Sequence, residues 1–120
     1  MPGYYTVKAC RLVDTRESTE PPLGPGETRV VGVTGGKCGI PESVKAIALN
    51  VMAVAPAAPG YLALFPGDQA VPNVSTVNFR PGQVRANNAI VPIGADGTLG
   101  IFNASSWYTE FVVDVSGFFF

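Results

Sequence analysis

The sequence predicts an all-β fold, an antiparallel β-sandwich of jelly-roll-like build with eight to nine short strands and at most one helical turn. Three observations carry this. Apolar runs rich in Val, Ile and aromatic residues recur at intervals of about ten residues, with turn signals between them. Charged residues make up only 14% of the chain, while 14 Gly and 11 Pro supply many tight turns. No stretch leaves room for the crossover helices that a parallel sheet requires. At 120 residues the chain is expected to form one domain, 1–120, around a single core.

The first strand is expected over Tyr4 to Ala9, with Cys10 to Asp14 continuing it after a bend. Residues 15–27 are read as a loop, because neither a helix nor a ladder tolerates the proline density of Pro21-Pro22-Leu23-Gly24-Pro25-Gly26. Thr28 to Val33 is the next strand, and Gly35 to Pro41 turns the chain. Pro41-Glu42-Ser43-Val44 suits one helical turn, with Pro at a first helical position. Lys45 to Val54 is the longest apolar run and has one polar residue, Asn50, near its middle. It reads as a strand buried on both faces, about 33 Å long, around which the others pack. Pro56 to Gly60 turns into Tyr61–Phe65, which stops at Pro66-Gly67. Asn73–Phe79 and Ala86–Ile93 follow, separated by the turn chemistry of Arg80-Pro81-Gly82. Asp96-Gly97 between apolar runs is a hairpin signal, joining that strand to Thr98–Phe102. Trp107–Val115 is the last strand, running into Ser116-Gly117 and Phe118-Phe119-Phe120.

Composition excludes several functions. Eight basic and nine acidic residues give a net charge of −1, without the basic footprint of a nucleic-acid binder. There is no histidine, which removes the commonest general base and the commonest transition-metal ligand together. No catalytic residue, cofactor or metal is predicted. The glycine clusters lack the strand-to-helix context of a phosphate loop. No stretch suits membrane insertion, and Met1-Pro2-Gly3-Tyr4-Tyr5 lacks the apolar segment of a signal peptide. If the protein is exported, its export signal is expected to lie outside this chain. Cys10 and Cys38 are too few for a thiolate metal site without His. They are read as a disulfide, with two buried free thiols as the alternative. Closing that loop of roughly 29 residues would contribute about 3–4 kcal/mol by the chain-entropy estimate.

Polar residues interrupt the apolar strands at Arg11, Asp14 and Arg16, at Asn50, at Asn78 with Asn87 and Asn88, and at Asp114. A charge at Asp114 in the run Phe111–Val115 needs a partner, and Arg11 or Arg16 is the candidate. We read Arg11, Asp14, Arg16, Asn50, Asn78 and Asp114 as an internal polar set of ion pairs and backbone-satisfying amides. Within it, Asn50 is expected to bond to the backbone of a neighbouring strand and fix register. The competing readings are a calcium site built on Asp14 and Asp114, or a paired-carboxylate hydrolase using the same residues. No local motif supports either. The sequons Asn73-Val74-Ser75 and Asn103-Ala104-Ser105 matter only in a glycosylating host. Aromatics gather near strand ends. Tyr61, Trp107, Tyr108, Phe118 and Phe120 are candidate contacts to a sugar or a protein partner. Alternation places Phe118 and Phe120 outward if Phe119 points inward.

Several motifs resemble, in order and over nearly the whole chain, a β-rich domain common in predicted secreted and surface proteins of actinobacteria and acidobacteria. They are Cys10-Arg11-Leu12-Val13-Asp14-Thr15-Arg16, Cys38-Gly39-Ile40-Pro41, Ala48-Leu49-Asn50-Val51, Gly60-Tyr61-Leu62, Ser75-Thr76-Val77-Asn78-Phe79, Asn87-Asn88-Ala89-Ile90-Val91 and Asp114-Val115-Ser116-Gly117-Phe118-Phe119. The resemblance implies a β-sandwich module without catalytic residues and supports pairing Cys10 with Cys38. It also implies an extracellular or cell-surface location, where disulfides persist. The resulting expectation is a non-catalytic structural or adhesive module that associates with itself or with adjoining domains. The alternatives are a carbohydrate-binding module recognising polysaccharide and a capsid, tail or fibre component of a phage-like particle.

Overall fold

The computed structural model describes residues 3–17 and 19–120, so Ser18 of the expected 15–27 loop and the first two residues lie outside it. Among the described residues are eight strands and no helix: β1 (Tyr4–Asp14), β2 (Thr28–Gly32), β3 (Ala46–Val54), β4 (Gly60–Pro66), β5 (Val77–Phe79), β6 (Val84–Pro92), β7 (Thr98–Ser105) and β8 (Glu110–Phe119). They form two four-stranded antiparallel sheets, ordered β1-β8-β3-β6 and β2-β7-β4-β5. Consecutive strands almost always change sheet; β4 to β5 is the exception. The all-β expectation holds, and this wiring is that of a double-sheet jelly roll.

The core lies between the sheets. Val13, Ile47, Leu49, Val51, Phe111, Val113 and Val115 of the first sheet meet Leu62, Leu64, Val77, Phe79, Leu99 and Ile101 of the second. The central run forms β3 as expected, but it is not buried on both faces. Ile47, Leu49, Val51 and Ala53 are buried, whereas Ala46, Ala48, Asn50, Met52 and Val54 are only half-buried. A sheet in a sandwich has one partner, so the outward residues are shielded only by neighbouring strands in their own sheet. Two further expectations are corrected. Pro41 to Val44 is a turn closed by the Val44 N–H on the Pro41 carbonyl (3.2 Å), with no helical continuation. Asp96-Gly97 does make a turn, with Gly97 at φ 77° and its N–H on the Gly94 carbonyl at 2.9 Å. It does not make a hairpin, because β6 pairs with β3 while β7 pairs with β2 and β4. Turn chemistry is local, whereas the sheet that the outgoing strand joins is set by distant partners.

Strand β8 departs from simple alternation once. Ala48 faces Gly117 and Leu49 faces Val115, so Ser116 is an extra residue on β8. An inserted residue reverses which face the following side chains occupy. Phe111, Val113 and Val115 point into the core before it, and Phe118 does so after it. The C-terminal aromatics are therefore the reverse of the sequence expectation, with Phe118 buried and Phe119 on the outer face beside Tyr4.

Cys10 on β1 and Cys38 in the β2–β3 connection form a disulfide, with Cα atoms 5.8 Å apart and 28 residues of sequence separation. The bond ties an edge strand to the loop that leads into the central strand. Replacing both cysteines by alanine is expected to lower unfolding free energy by about 3–4 kcal/mol in denaturant titration. A loss under about 1 kcal/mol would mean that the unfolded chain is already restricted there.

Candidate functional site

The densest polar chemistry is on the outer face of the first sheet, where β1 ends. Arg11 faces Asp114 and Val13 faces Val113, so Leu12 is an extra residue on β1. Without it Arg11 and Asp14 would point to opposite faces; with it both point outward. Arg11 grips Asp114 with two nitrogens, Nε on Oδ1 at 2.9 Å and Nη2 on Oδ2 at 3.2 Å. Its Nη1 donates to Asp14 Oδ2 at 2.9 Å and to Glu17 Oε2 at 3.4 Å. Arg16 takes Asp14 from the other side, Nε on Oδ1 at 3.0 Å and Nη2 on Oδ2 at 2.9 Å, while its own backbone N–H donates to Oδ1. Asp14 is buried beneath the two guanidinium groups. The Arg16 hydrogen bonds hold its carboxyl well below the usual carboxylate range, against the opposing effect of burial. Donation to the Asp114 carboxylate, then the charges of Asp114, Asp14 and Glu17, raise Arg11 above its ordinary value.

This arrangement closes on itself. An open depression of about 380 Å³ beside it is bordered by Arg11, Asp14, Glu17, Glu20 and Lys37. Asp14, one of the two carboxylates of the hydrolase reading, is held ionised, opposite to what a general acid requires. Among the described residues no group of three or more His, Cys, Asp or Glu is placed to hold a metal ion.

Apart from Asp14, the expected polar set is not internal. Arg11, Asp114, Asn50 and Asn88 stand side by side across β1, β8, β3 and β6, forming one polar row on the outer face. Asn50 is half-buried there, and among the described residues its side chain makes no hydrogen bond, so it does not bond to a neighbouring backbone. The register of β3 comes from its main-chain ladders instead. Asn78 is in the other sheet, exposed on β5. Asn87 does bond to backbone, its Nδ2 donating to the Thr76 carbonyl at 3.0 Å across the mouth of the sandwich.

The candidate aromatic contacts divide between two ends. Tyr5, Phe118 and Phe120 form one cluster, with ring centroids 5.4–5.7 Å apart, and Phe118 belongs to the core. Tyr4 lies on Phe119 at 4.6 Å and covers Gly117, where any larger residue would meet the Tyr4 ring. At the other end Trp107 and Tyr108 are exposed, with ring planes at 84° to each other. Two perpendicular rings offer no continuous flat surface for a sugar. Tyr61 is half-buried on β4.

The sequence reading missed the residues that hold the long connections down. Asn103 is fully buried, and its Nδ2 donates to the carbonyls of Leu23 (3.0 Å) and Trp107 (2.8 Å) while its Oδ1 accepts from Ser105 Oγ. The sequence shows it only as part of a sequon, yet its amide is fully engaged. Arg29 pins the same loop through the carbonyls of Pro21 and Pro22 and through Glu27. Burial raises Glu27, but the Gly24 N–H and Arg29 outweigh it and leave the carboxyl lowered. The only sequence trace of these anchors is that polar residues flank the proline-rich loop.

The exposed edge position of β6 is the other feature that local sequence did not reveal. The strand has nine residues and is exposed at every position except Ala89 and Val91. Val84 and Ile90 are 62% and 64% exposed on its outer face.

No protein-family model and no curated protein matches this chain. Among solved structures, the chain is similar to the coat protein of tobacco streak virus in a dimer structure, with 13% identity over 96% of this chain and 86% of that chain and a TM-score of 0.44. It is similar to the same coat protein in a C2 crystal form with 16% identity over 96% and 85% of the two chains and a TM-score of 0.41. Likeness at this level transfers no function.

Two outcomes test the site. An unfolded Asp titrates near 3.9, and Asp14 lies lower when folded, so its contribution to stability is complete above about pH 4 and is lost as pH falls through the folded value. Thermal unfolding should therefore show Asp14→Asn destabilised at neutral pH but with a shallower decline below about pH 4 than the parent; parallel acid profiles would remove Asp14 from this role. Asn103→Ala removes the buried amide that donates to the Leu23 and Trp107 carbonyls and accepts from Ser105, and should cost about 1–3 kcal/mol in denaturant titration.

Proposed function

We propose that this chain is a non-catalytic structural module that acts by associating with further copies of itself, as a building block of a particle, fibre or surface assembly. One observation carries the reading: a long edge strand, β6, is open and carries exposed Val84 and Ile90, while the ionic cluster is closed upon itself. Proteins normally shield such edges with charge, Pro or a covering loop, because an open edge is a template for further strands. Jelly rolls serve in capsid and lectin domains alike, and the perpendicular Trp107–Tyr108 pair favours the assembly role over sugar recognition. The proposal includes an oxidising, extracellular or surface setting. It is supported by the Cys10–Cys38 disulfide and by the resemblance to secreted-protein modules.

Light scattering or sedimentation velocity over a concentration series tests the role. The expected outcome is a weight-average mass that rises with concentration above the 12.5 kDa of one chain. A mass fixed at one chain up to millimolar concentration would overturn it.

A further inference from the structure

We infer that β6 pairs antiparallel with β6 of a second copy about a two-fold axis at Asn87, joining two four-stranded sheets into one of eight. This rests on the self-association proposed above and names its surface.

The direction of the free backbone groups follows from the ladder with β3. Ala46 lies opposite Pro92, and the Ile93 N–H donates to the Lys45 carbonyl at 3.0 Å. In an antiparallel pair that bond makes Ala46–Pro92 a non-hydrogen-bonded pair. The pairing runs without interruption to Val54–Val84, so Arg85, Asn87, Ala89 and Val91 turn their N–H and C=O groups toward β3. Val84, Ala86, Asn88 and Ile90 turn theirs outward along the open edge, and all four are exposed. Pro92 shares that side but has no N–H.

Side chains then select the register. With the axis at Asn87, Val84 lies opposite Ile90 of the second copy and Ala86 opposite Asn88, so each of the four outward residues both donates and accepts. The two most exposed large apolar side chains of β6 cover each other on the outer face. Arg85 lies opposite Ala89 of the second copy. Moving the axis to Arg85 sets two guanidinium groups against each other, a destabilising like-charge pair. Moving it to Ala86 carries Ile90 past the end of the strand. Moving it to Asn88 sets the Val84 carbonyl against Pro92, which offers no donor. The axis at Asn87 avoids all three faults.

Cysteine cross-linking tests both surface and register. At the axis, Asn87 forms a non-hydrogen-bonded pair with itself, with Cα atoms about 4.5 Å apart, within reach of a disulfide. Under mild oxidation Asn87→Cys should run at twice the monomer mass on a non-reducing gel. Arg85→Cys and Ala89→Cys should each stay monomeric alone and yield a mixed dimer when combined. Ala86→Pro, which removes only an outward N–H, should abolish association while leaving the circular dichroism spectrum and melting temperature nearly unchanged. If mass still rises with concentration but Asn87→Cys does not cross-link and Ala86→Pro still associates, the edge pairing is wrong and self-association uses another surface. If Asn88→Cys cross-links instead, the register is wrong. A strict monomer overturns this inference together with the function it rests on.

Discussion

Strand alternation has a period of two, and two of the breaks in it direct this molecule's key side chains. Ser116 on β8 and Leu12 on β1 are each one more residue than the facing strand provides. Ser116 moves Phe118 into the core after Val113 and Val115, so that a strand of ten residues contributes core at both ends. Leu12 brings Asp14 to the face already occupied by Arg11 and Asp114. Remove either extra residue and every side chain beyond it changes face. Both lie along β8 and its edge neighbour, where the chain's first and last strands meet.

The jelly-roll wiring creates a second demand. Strands that alternate between sheets need connections over the ends of the sandwich, and each connection carries backbone groups that need partners. Asn103 and Arg29 meet this at one end by binding the carbonyls of Leu23, Pro21 and Pro22. Thr15 does so where β1 ends, its Oγ1 accepting from the Phe111 N–H at 3.0 Å while its own N–H donates back to Phe111. Polar side chains in this fold are therefore fasteners for loops more than a site for chemistry. The Arg11–Asp14–Arg16–Asp114 cluster belongs to the same class, since it locks the start of the long loop onto β8.

The two edges of the first sheet are treated differently. β1 is bound by the disulfide to the β2–β3 connection and is overlaid near its start by Tyr4 and Tyr5 against Phe119 and Phe118. β6 has no such cover, and its contact with the other sheet includes the Asn87–Thr76 bond at the inner rim. The first sheet therefore has one fastened edge and one open edge.

The sequence by itself determined the all-β class, the positions of most strands and turns, and two cysteines fit to pair. These depend on local signals: apolar composition in short runs, and Gly and Pro where the backbone must bend. It also singled out Asp114 as a charge in need of Arg11 or Arg16. Tertiary structure alone decided which sheet each strand joined, as Asp96-Gly97 shows by leading from one sheet to the other. It decided too that Asn50 lies on an outer polar row, that Asn103 is a buried fastener, and that Phe118 faces inward. Each of these depends on which distant strand supplies the hydrogen bonds and on where a single extra residue is absorbed. A period-two pattern read along one strand cannot carry that information, because a shift of one residue leaves the composition unchanged and reverses every face.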